Sequence, residues 1–466
     1  MKSRTTAIFI LLTGLLFAFQ GKQTDHEPDI PFEKIGKIET KTTHEIVSSN
    51  WSVGGETMDR DYTIYNNWKA YVEPLGIKKV RIQGGWAKTE KKLGEYEWDW
   101  LDEIIFDLDK RGVEPWVCLS YGNSNYADGG GTLLGAALPR TDEALEGWLS
   151  WVSAFVERYK GVVYEWEIWN EPNLRNVNMA ADYAHMLMKT AKVIREIQPE
   201  AQIIGMSTAG VDIEFIESVL QILQKNDKLS LLDKVSYHPY NMNPDDSYEK
   251  VMELRKVVNS FDSNITLLQG ENGAPSERRS SKALRNYDWT EVSQAKWALR
   301  RLLGDLEHDI PSSIFSMIDM KYPDEMNVKG LLAANEDKTV SHRKSAYYAV
   351  KNLAAVFDDQ LERIEDFQYN STATRDLAVF AFRHQINKAP LVTIWFSDDT
   401  PSDSFGTTST DFTFKDLKFS HPVIVDMLTG KIYEVPKENF GKKNIFKGLP
   451  IYDSPVFITN KSMVMK

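Results

Sequence analysis

From Ile46 to Ile318, short apolar runs alternate with amphipathic ones, and this alternation constrains the fold of the 466-residue chain more than any other feature. Eight runs are rich in β-branched and aromatic residues and read as strands: Ile46–Val53, Lys79–Gln83, Glu114–Ser120, Tyr164–Trp169, Gln202–Met206, Lys234–Tyr237, Ile265–Gln269 and Ser313–Ile318. Between them, Trp98–Arg111, Glu143–Tyr159, Ala180–Ile197, Ile213–Lys225, Ser247–Phe261 and Glu291–Leu306 carry apolar residues at helical spacing. Thr141-Asp142 and Thr290 stand where helix N-caps belong. Strand–helix alternation predicts a parallel sheet, and eight such units over about 300 residues predict a (β/α)8 TIM barrel.

The pattern changes after Asn352. Only strand-like runs follow, among them Leu377–Arg383, Leu391–Phe396, Val423–Met427 and Val456–Ile458, separated by turn formers such as Leu428-Thr429-Gly430-Lys431. The expected class is α/β, a TIM barrel at 46–354 with a small C-terminal all-β sandwich at 355–466. A polar leader at 21–45 is a candidate extra strand of that sandwich.

Residues 1–20 read as a signal peptide. Lys2 and Arg4 precede an apolar run, Ala7 to Ala18, that is too short to cross a bilayer. The expectation is export, to the periplasm or outside the cell. No other long apolar stretch exists, so no membrane span is expected. The net charge of −12 and the lack of a basic run argue against nucleic acid as a partner. The only cysteine, Cys118, lies inside strand three and reads as a small buried apolar residue. The eight histidines show no paired ligand spacing, so neither metal nor other cofactor is expected.

Strands four and seven each run into a glutamate followed by turn formers: Glu171 before Pro172-Asn173, and Glu271 before Asn272-Gly273. In a barrel the active site lies at the carboxyl ends of the strands. Two carboxylates converging there are what glycoside hydrolysis requires. A lone glutamate at such a place is more often a turn cap or the partner of a structural lysine; two at matched strand ends are not explained that way. Glu165 and Glu167 share the parity of Glu171 and read as ion-paired residues of the barrel interior.

Trp169-Asn170-Glu171-Pro172-Asn173 resembles the acid/base motif of the large clan of retaining (β/α)8 glycoside hydrolases. Trp98-Asp99-Trp100-Leu101-Asp102, Arg111-Gly112-Val113-Glu114-Pro115 and Lys344-Ser345-Ala346-Tyr347-Tyr348-Ala349 make the likeness greatest to family 39, which includes β-xylosidases and α-L-iduronidases. The resemblance covers roughly residues 46–355. It implies Glu171 as acid/base, Glu271 as nucleophile, Asn170 as a ligand of the sugar hydroxyl next to the reacting carbon, and Arg81 as the cation that keeps Glu271 ionised. It also implies that His238 and Tyr240, in Ser236-Tyr237-His238-Pro239-Tyr240, border the nucleophile.

The chain departs from the clan at strand eight. A Trp platform is common there, whereas this chain has Ser316-Met317-Ile318-Asp319-Met320-Lys321-Tyr322. Two readings stand for this segment: Tyr322 replaces the platform, or Asp319 and Lys321 instead read polar or charged sugar groups. Trp51, Trp86 and Tyr121, at the ends of strands one to three, are candidates for stacking on sugar faces. Asn123 is a further candidate contact. It heads the loop Asn123–Ala137, whose Gly129-Gly130-Gly131 makes it a candidate lid.

The implied activity is hydrolysis of a terminal sugar or short oligosaccharide, because a long loop and converging polar groups suit a pocket. Three alternatives stay open at this point. One is the same machinery with arabinofuranosidase, galactosidase or uronidase specificity. The others are a non-catalytic glycan-binding barrel and a structural surface protein.

Overall fold

The computed structural model describes residues 27–278, 282–358, 360–441 and 444–465. The segment read as a signal peptide lies outside them. Among the described residues no helix is long and apolar enough to cross a membrane.

Eight parallel strands close into a barrel: β1 Trp51–Gly54, β2 Lys79–Gln83, β3 Glu114–Leu119, β4 Glu165–Ile168, β5 Gln202–Ala209, β6 Lys234–His238, β7 Thr266–Asn272 and β8 Ser312–Ile314. β1 pairs with β2 at Ser52↔Lys79 and with β8 at Ser52↔Ser313, which completes the ring. Helices follow the strands as the periodicity predicts. Thr141 caps Asp142–Tyr159 through Ala144, and Thr290 and Ser293 form a reciprocal capping box on Glu291–Glu307.

The barrel interior is filled in layers. Trp116, Ile204 and Leu268 form an apolar plug. Trp116 Nε1 donates to Ser52 Oγ, which meets Ser313 Oγ at 2.8 Å. The Arg81 guanidinium lies over the Trp116 ring, 5.4 Å from its centroid, and begins the polar layer above. Two strands bulge there, β5 between Gly205 and Thr208 and β7 between Gln269 and Asn272. Gly270 allows the second bulge, since a Cβ would collide with Ser236 Oγ.

Trp51 begins β1 rather than ending it. Val47, expected inside strand one, is 77% exposed, and the chain becomes strand only at Trp51. Trp51 is buried at the amino-terminal end of the barrel, its Nε1 donating to Leu302 O. It therefore stands at the wrong end to stack on a sugar.

The C-terminal region forms a sheet of seven strands over a sheet of four. Leader residues Lys34–Lys37 form an edge of the larger sheet, antiparallel to Lys431–Glu434. Along Pro390–Phe396 the side chains alternate. Leu391 and Trp395 join the apolar core continuous with the barrel, whereas Val392, Ile394 and Phe396 fill the space between the sheets. Buried cations of helix Glu291–Glu307 complete the seam: Lys296 Nζ lies 2.6 Å from Asp453 Oδ1, and Arg300 donates to Asp245 and to the carbonyl of Asp399.

Candidate active site

Glu171 follows β4 on a bent backbone. Trp169 and Glu171 both have left-handed φ, 67° and 50°, which only a well-determined surrounding sustains. The surrounding is the β5 bulge. Ser207 O accepts from Glu171 N at 2.9 Å. Tyr183 OH donates to Ile168 O at 2.8 Å and accepts from Met206 N at 2.7 Å, tying the two strands together. Glu171 thus leaves the strand with its carboxylate aimed into the mouth, while the Trp169 ring turns outward against Trp148 and Tyr121.

Glu271 lies near the end of β7. Tyr240 OH donates to its Oε1 at 2.8 Å, and Arg81 Nη1 to its Oε2 at 2.8 Å. His238 Nδ1 stands 2.9 Å from Glu171 Oε1 and 4.0 Å from Glu271 Oε2. One donor atom from each of Glu171, His238 and Glu271 lies within 4.8 Å of the other two. Among the described residues no other trio of His, Cys or carboxylate groups is so close. The nearby Arg81 already supplies the positive charge such a cluster calls for.

Electrostatics separates the roles. Burial works to raise the carboxyl of Glu271, but His238 and Arg81 outweigh it and hold the group below its ordinary value, with Tyr240 assisting. Burial opposes the charge on His238, yet Glu271 and Glu171 together raise its pKa above the ordinary value. Burial and the charge of Glu271 keep the Tyr240 phenol protonated. This arrangement can hold Glu271 as an ionised carboxylate, with a second carboxyl, that of Glu171, across the imidazole of His238.

Arg81 organises the layer beneath. Its Nε and Nη2 both approach Glu167 Oε2, at 2.8 and 2.6 Å, and Nη2 also donates to Asn170 Oδ1 at 2.7 Å. Asn170 Nδ2 in turn donates to Tyr121 OH at 2.8 Å, so Tyr121 is held at the site by its hydroxyl. Glu165 pairs with Lys79 and Lys234 and takes no part.

Four expected contacts are corrected. Trp86 is fully buried among Tyr126, Trp148 and Trp151, because Gly85 (φ 61°) turns the chain outward after β2. Asn123 spends its amide on Glu90 O at 2.9 Å and on Asn125 N, bracing its own loop. Lys321 lies in the hairpin pair Met320–Lys321/Met326–Asn327 and points to Glu336 at 2.7 Å. Asp319 is likewise committed, to Lys344 at 2.6 Å and to the amides of Gly330 and Ala334.

Tyr322 remains beside the mouth, its ring 4.6 Å from that of Tyr62, with burial raising its phenol to about 12 and Glu271 within its field. The loop after β3 is pinned at several points. Gly122 N and Asn123 N bond to Gly131 O and Gly129 O, Tyr126 OH donates to Glu90 at 2.7 Å, and Asn178 holds both Leu138 N and Ala136 O.

Four residues of the site escaped the sequence reading. Glu56, just past β1, reaches Arg81 Nη1 at 2.8 Å. Ser207 Oγ donates to Glu167 Oε1. Arg60 lies over the Tyr121 ring, 5.0 Å from its centroid. Lys329 is buried, its ammonium lowered to about 8 by burial against the opposing pull of Glu271 and Glu325. Gly54-Gly55-Glu56, at the carboxyl end of β1, is the sequence signal that could have marked the first of these. Arg60, Tyr121 and the Gly85–Lys88 turn line a cavity of about 280 Å³ beside the site. A larger one, lined by Trp51, Lys79 and Glu114, opens at the opposite end of the barrel and holds none of these groups.

Residues 48–270 match the model of Glycosyl hydrolases family 39. Among solved structures, a family 39 glycoside hydrolase from the gut symbiont Bacteroides cellulosilyticus WH2 superposes with a TM-score of 0.65 at 17% identity, over 90% of this chain and 82% of that one. The family 39 enzyme of Xanthomonas axonopodis pv. citri gives 0.59 at 16% identity, over 94% and 98%. A monomeric β-xylosidase from Caulobacter crescentus CB15 gives 0.58 at 15% identity, over 91% and 97%. At such identities these superpositions speak for the fold, and the family match covers the barrel as far as β7. The resemblance read from the sequence is borne out: with its closed eight-stranded barrel, this chain is similar to the glycoside hydrolases of family 39.

Proposed function

We propose that the protein is an exported, retaining glycoside hydrolase that removes a terminal sugar from a glycan or short oligosaccharide by double displacement. The observation that carries this reading is the convergence of one oxygen from each of Glu171 and Glu271 within 4.8 Å, with His238 between them. Retaining enzymes place their two carboxyl groups about 5–5.5 Å apart, and inverting ones farther. In the first step Glu271 attacks the anomeric carbon, the glycosidic C–O bond breaks, and Glu171 gives its proton to the departing oxygen. In the second, Glu171 takes a proton from water, the water oxygen attacks the same carbon, and Glu271 is released. Arg81 and Tyr240 hold Glu271 as the carboxylate the first step needs. Asn170, fixed by Arg81 and Tyr121, lies where the neighbouring sugar hydroxyl is read.

The specificity resembles that of a β-xylosidase in this reading, supported by the Caulobacter crescentus neighbour. A second reading, an acidic terminal sugar, is favoured by Lys329, a buried cation in the field of Glu271. A panel of aryl xylosides, arabinosides, galactosides and uronides, with Glu271→Ala as the blank, decides between them. NMR of the first-formed sugar tests the stereochemistry, and an inverted anomer would sink the double displacement. No turnover anywhere on the panel would instead favour the non-catalytic glycan binder. Detection of the protein in culture medium or periplasm with residues 1–20 removed tests export.

A further inference from the structure

Glu56 takes no part in the double displacement, yet it sits on the cation that serves it. Its Oε1 lies 2.8 Å from Arg81 Nη1, the same nitrogen that meets Glu271 Oε2 at 2.8 Å. Its Oε2 is buried with no hydrogen-bond partner among the described residues. Gly54 makes room for that oxygen, since a Cβ there would collide with it. Arg81 thus faces three carboxylates, Glu56, Glu167 and Glu271, where its charge offsets one. A buried carboxylate with one bare oxygen is costly, and an interacting buried pair gives up protons in linked steps.

We infer that Glu56 is a positioning residue whose proton is governed by the charge on Glu271 through their shared Arg81 nitrogen. It is protonated while Glu271 is a carboxylate and ionised once Glu271 is neutral. The charged and titratable groups that bear on it are Arg81 from β2, Glu271 from β7, Tyr240 from the turn after β6, and Glu167 from β4 through Arg81. The direction of its titration agrees. Burial first, and Glu271 after it, push the Glu56 carboxyl up to about 7 against the pull of Arg81.

The consequence for turnover rests on the proposed double displacement. When Glu271 becomes the glycosyl ester, its negative charge is spent in the new C–O bond. Glu56 then gives its proton to solvent and supplies the counter-charge that Arg81 has lost. When the ester is hydrolysed, Glu56 takes a proton back, so the cycle consumes none.

The test is 13C NMR of the full chain labelled at glutamate side-chain carboxyls, with the Glu56 signal assigned by its loss in Glu56→Gln. If that variant does not fold, Glu56→Asp removes the same glutamate signal. Glu56 is expected to titrate near neutrality in the wild type, and about one pH unit or more lower in Glu271→Gln. An ordinary Glu56 midpoint in the wild type, or the same midpoint in both proteins, overturns the inference. The pH profile of kcat/KM supplies a readout that a merely structural residue would not move: the wild type carries an inflection near neutrality that Glu56→Gln lacks. Absence of activity on every glycoside defeats the proposed reaction, while the titration still decides the coupling.

Discussion

Arg81 Nη1 and Glu271 Oε2 are 2.8 Å apart, and the guanidinium to which that nitrogen belongs is wholly enclosed. The contact therefore belongs to the barrel's interior as much as to its mouth. Arg81→Met leaves Glu167, Glu56 and Glu271 without their shared cation. Breaking a buried ion pair from one side costs about 3–5 kcal/mol, and a urea titration is expected to show a loss of that order. A loss under about 1 kcal/mol, the range of exposed pairs, would mean that the charges are solvated.

Glu171→Gln and Glu271→Gln are expected to fold and to fail in different ways. Loss of general-acid catalysis costs about 10²–10⁴-fold, and less on substrates with an acidic phenol as leaving group. Loss of the nucleophile spares no substrate. Azide added to Glu271→Gly is expected to give a glycosyl azide of configuration opposite to the substrate. Circular dichroism checks the fold, and its collapse in both variants would mark the residues as structural.

Tyr240→Phe removes one hydrogen bond to the Glu271 carboxylate and little else. Hydrogen bonds to charged groups contribute about 1.5–3 kcal/mol, so kcat/KM is expected to fall by roughly 10- to 100-fold. The acid limb of its pH profile moves upward, because that bond helps to hold Glu271 ionised. An unmoved acid limb would assign Tyr240 to packing alone.

His238 has a raised pKa in the fold, from an ordinary value of 6.5. A raised group contributes stability that is fully present below its unfolded value and is lost as pH rises through its folded one. The gap in unfolding free energy between wild type and His238→Asn is therefore expected to be largest below about pH 6.5 and to shrink toward alkaline pH. Urea titrations at a series of pH values measure it, and a gap that grows with pH would contradict the assignment.

Trp86→Ala is expected to lower stability by about 3–5 kcal/mol through the cavity it leaves, with KM little changed. A raised KM at unchanged stability would return Trp86 to the sugar site.

The barrel was legible because its signals are periodic. Helices Ala180–Ile197 and Ile213–Lys225 begin and end where their apolar spacing does. Glu171 and Glu271 were legible because strand ends in a barrel have one destination. The aromatic residues were not, since a Trp a few residues past a strand faces the mouth or the helix layer according to the backbone turn before it, and at Trp86 the left-handed Gly85 chose the helices. Lys321 and Asp319 were misread for a related reason. The strand-eight segment turns into a hairpin whose partners, Glu336 and Lys344, lie farther along the chain and leave no trace in local spacing. Glu56 was hidden because it stands two residues past β1 and its partner Arg81 lies 25 residues farther along the chain, which leaves no local signal.

The pairing of Lys37 with Lys431 has a consequence for how the chain is made. At about 5–20 residues per second, synthesis leaves the leader strand waiting some tens of seconds for its neighbour. Throughout that interval its backbone edge is bare, and contacts so distant in sequence are slow to form. The first described strand is thus among the last to find its place, and the sandwich acts as a clasp that closes on the nascent protein only after the barrel has been emitted. Chains stalled before residue 431 are expected to be cut by protease at 34–37, where the finished chain resists.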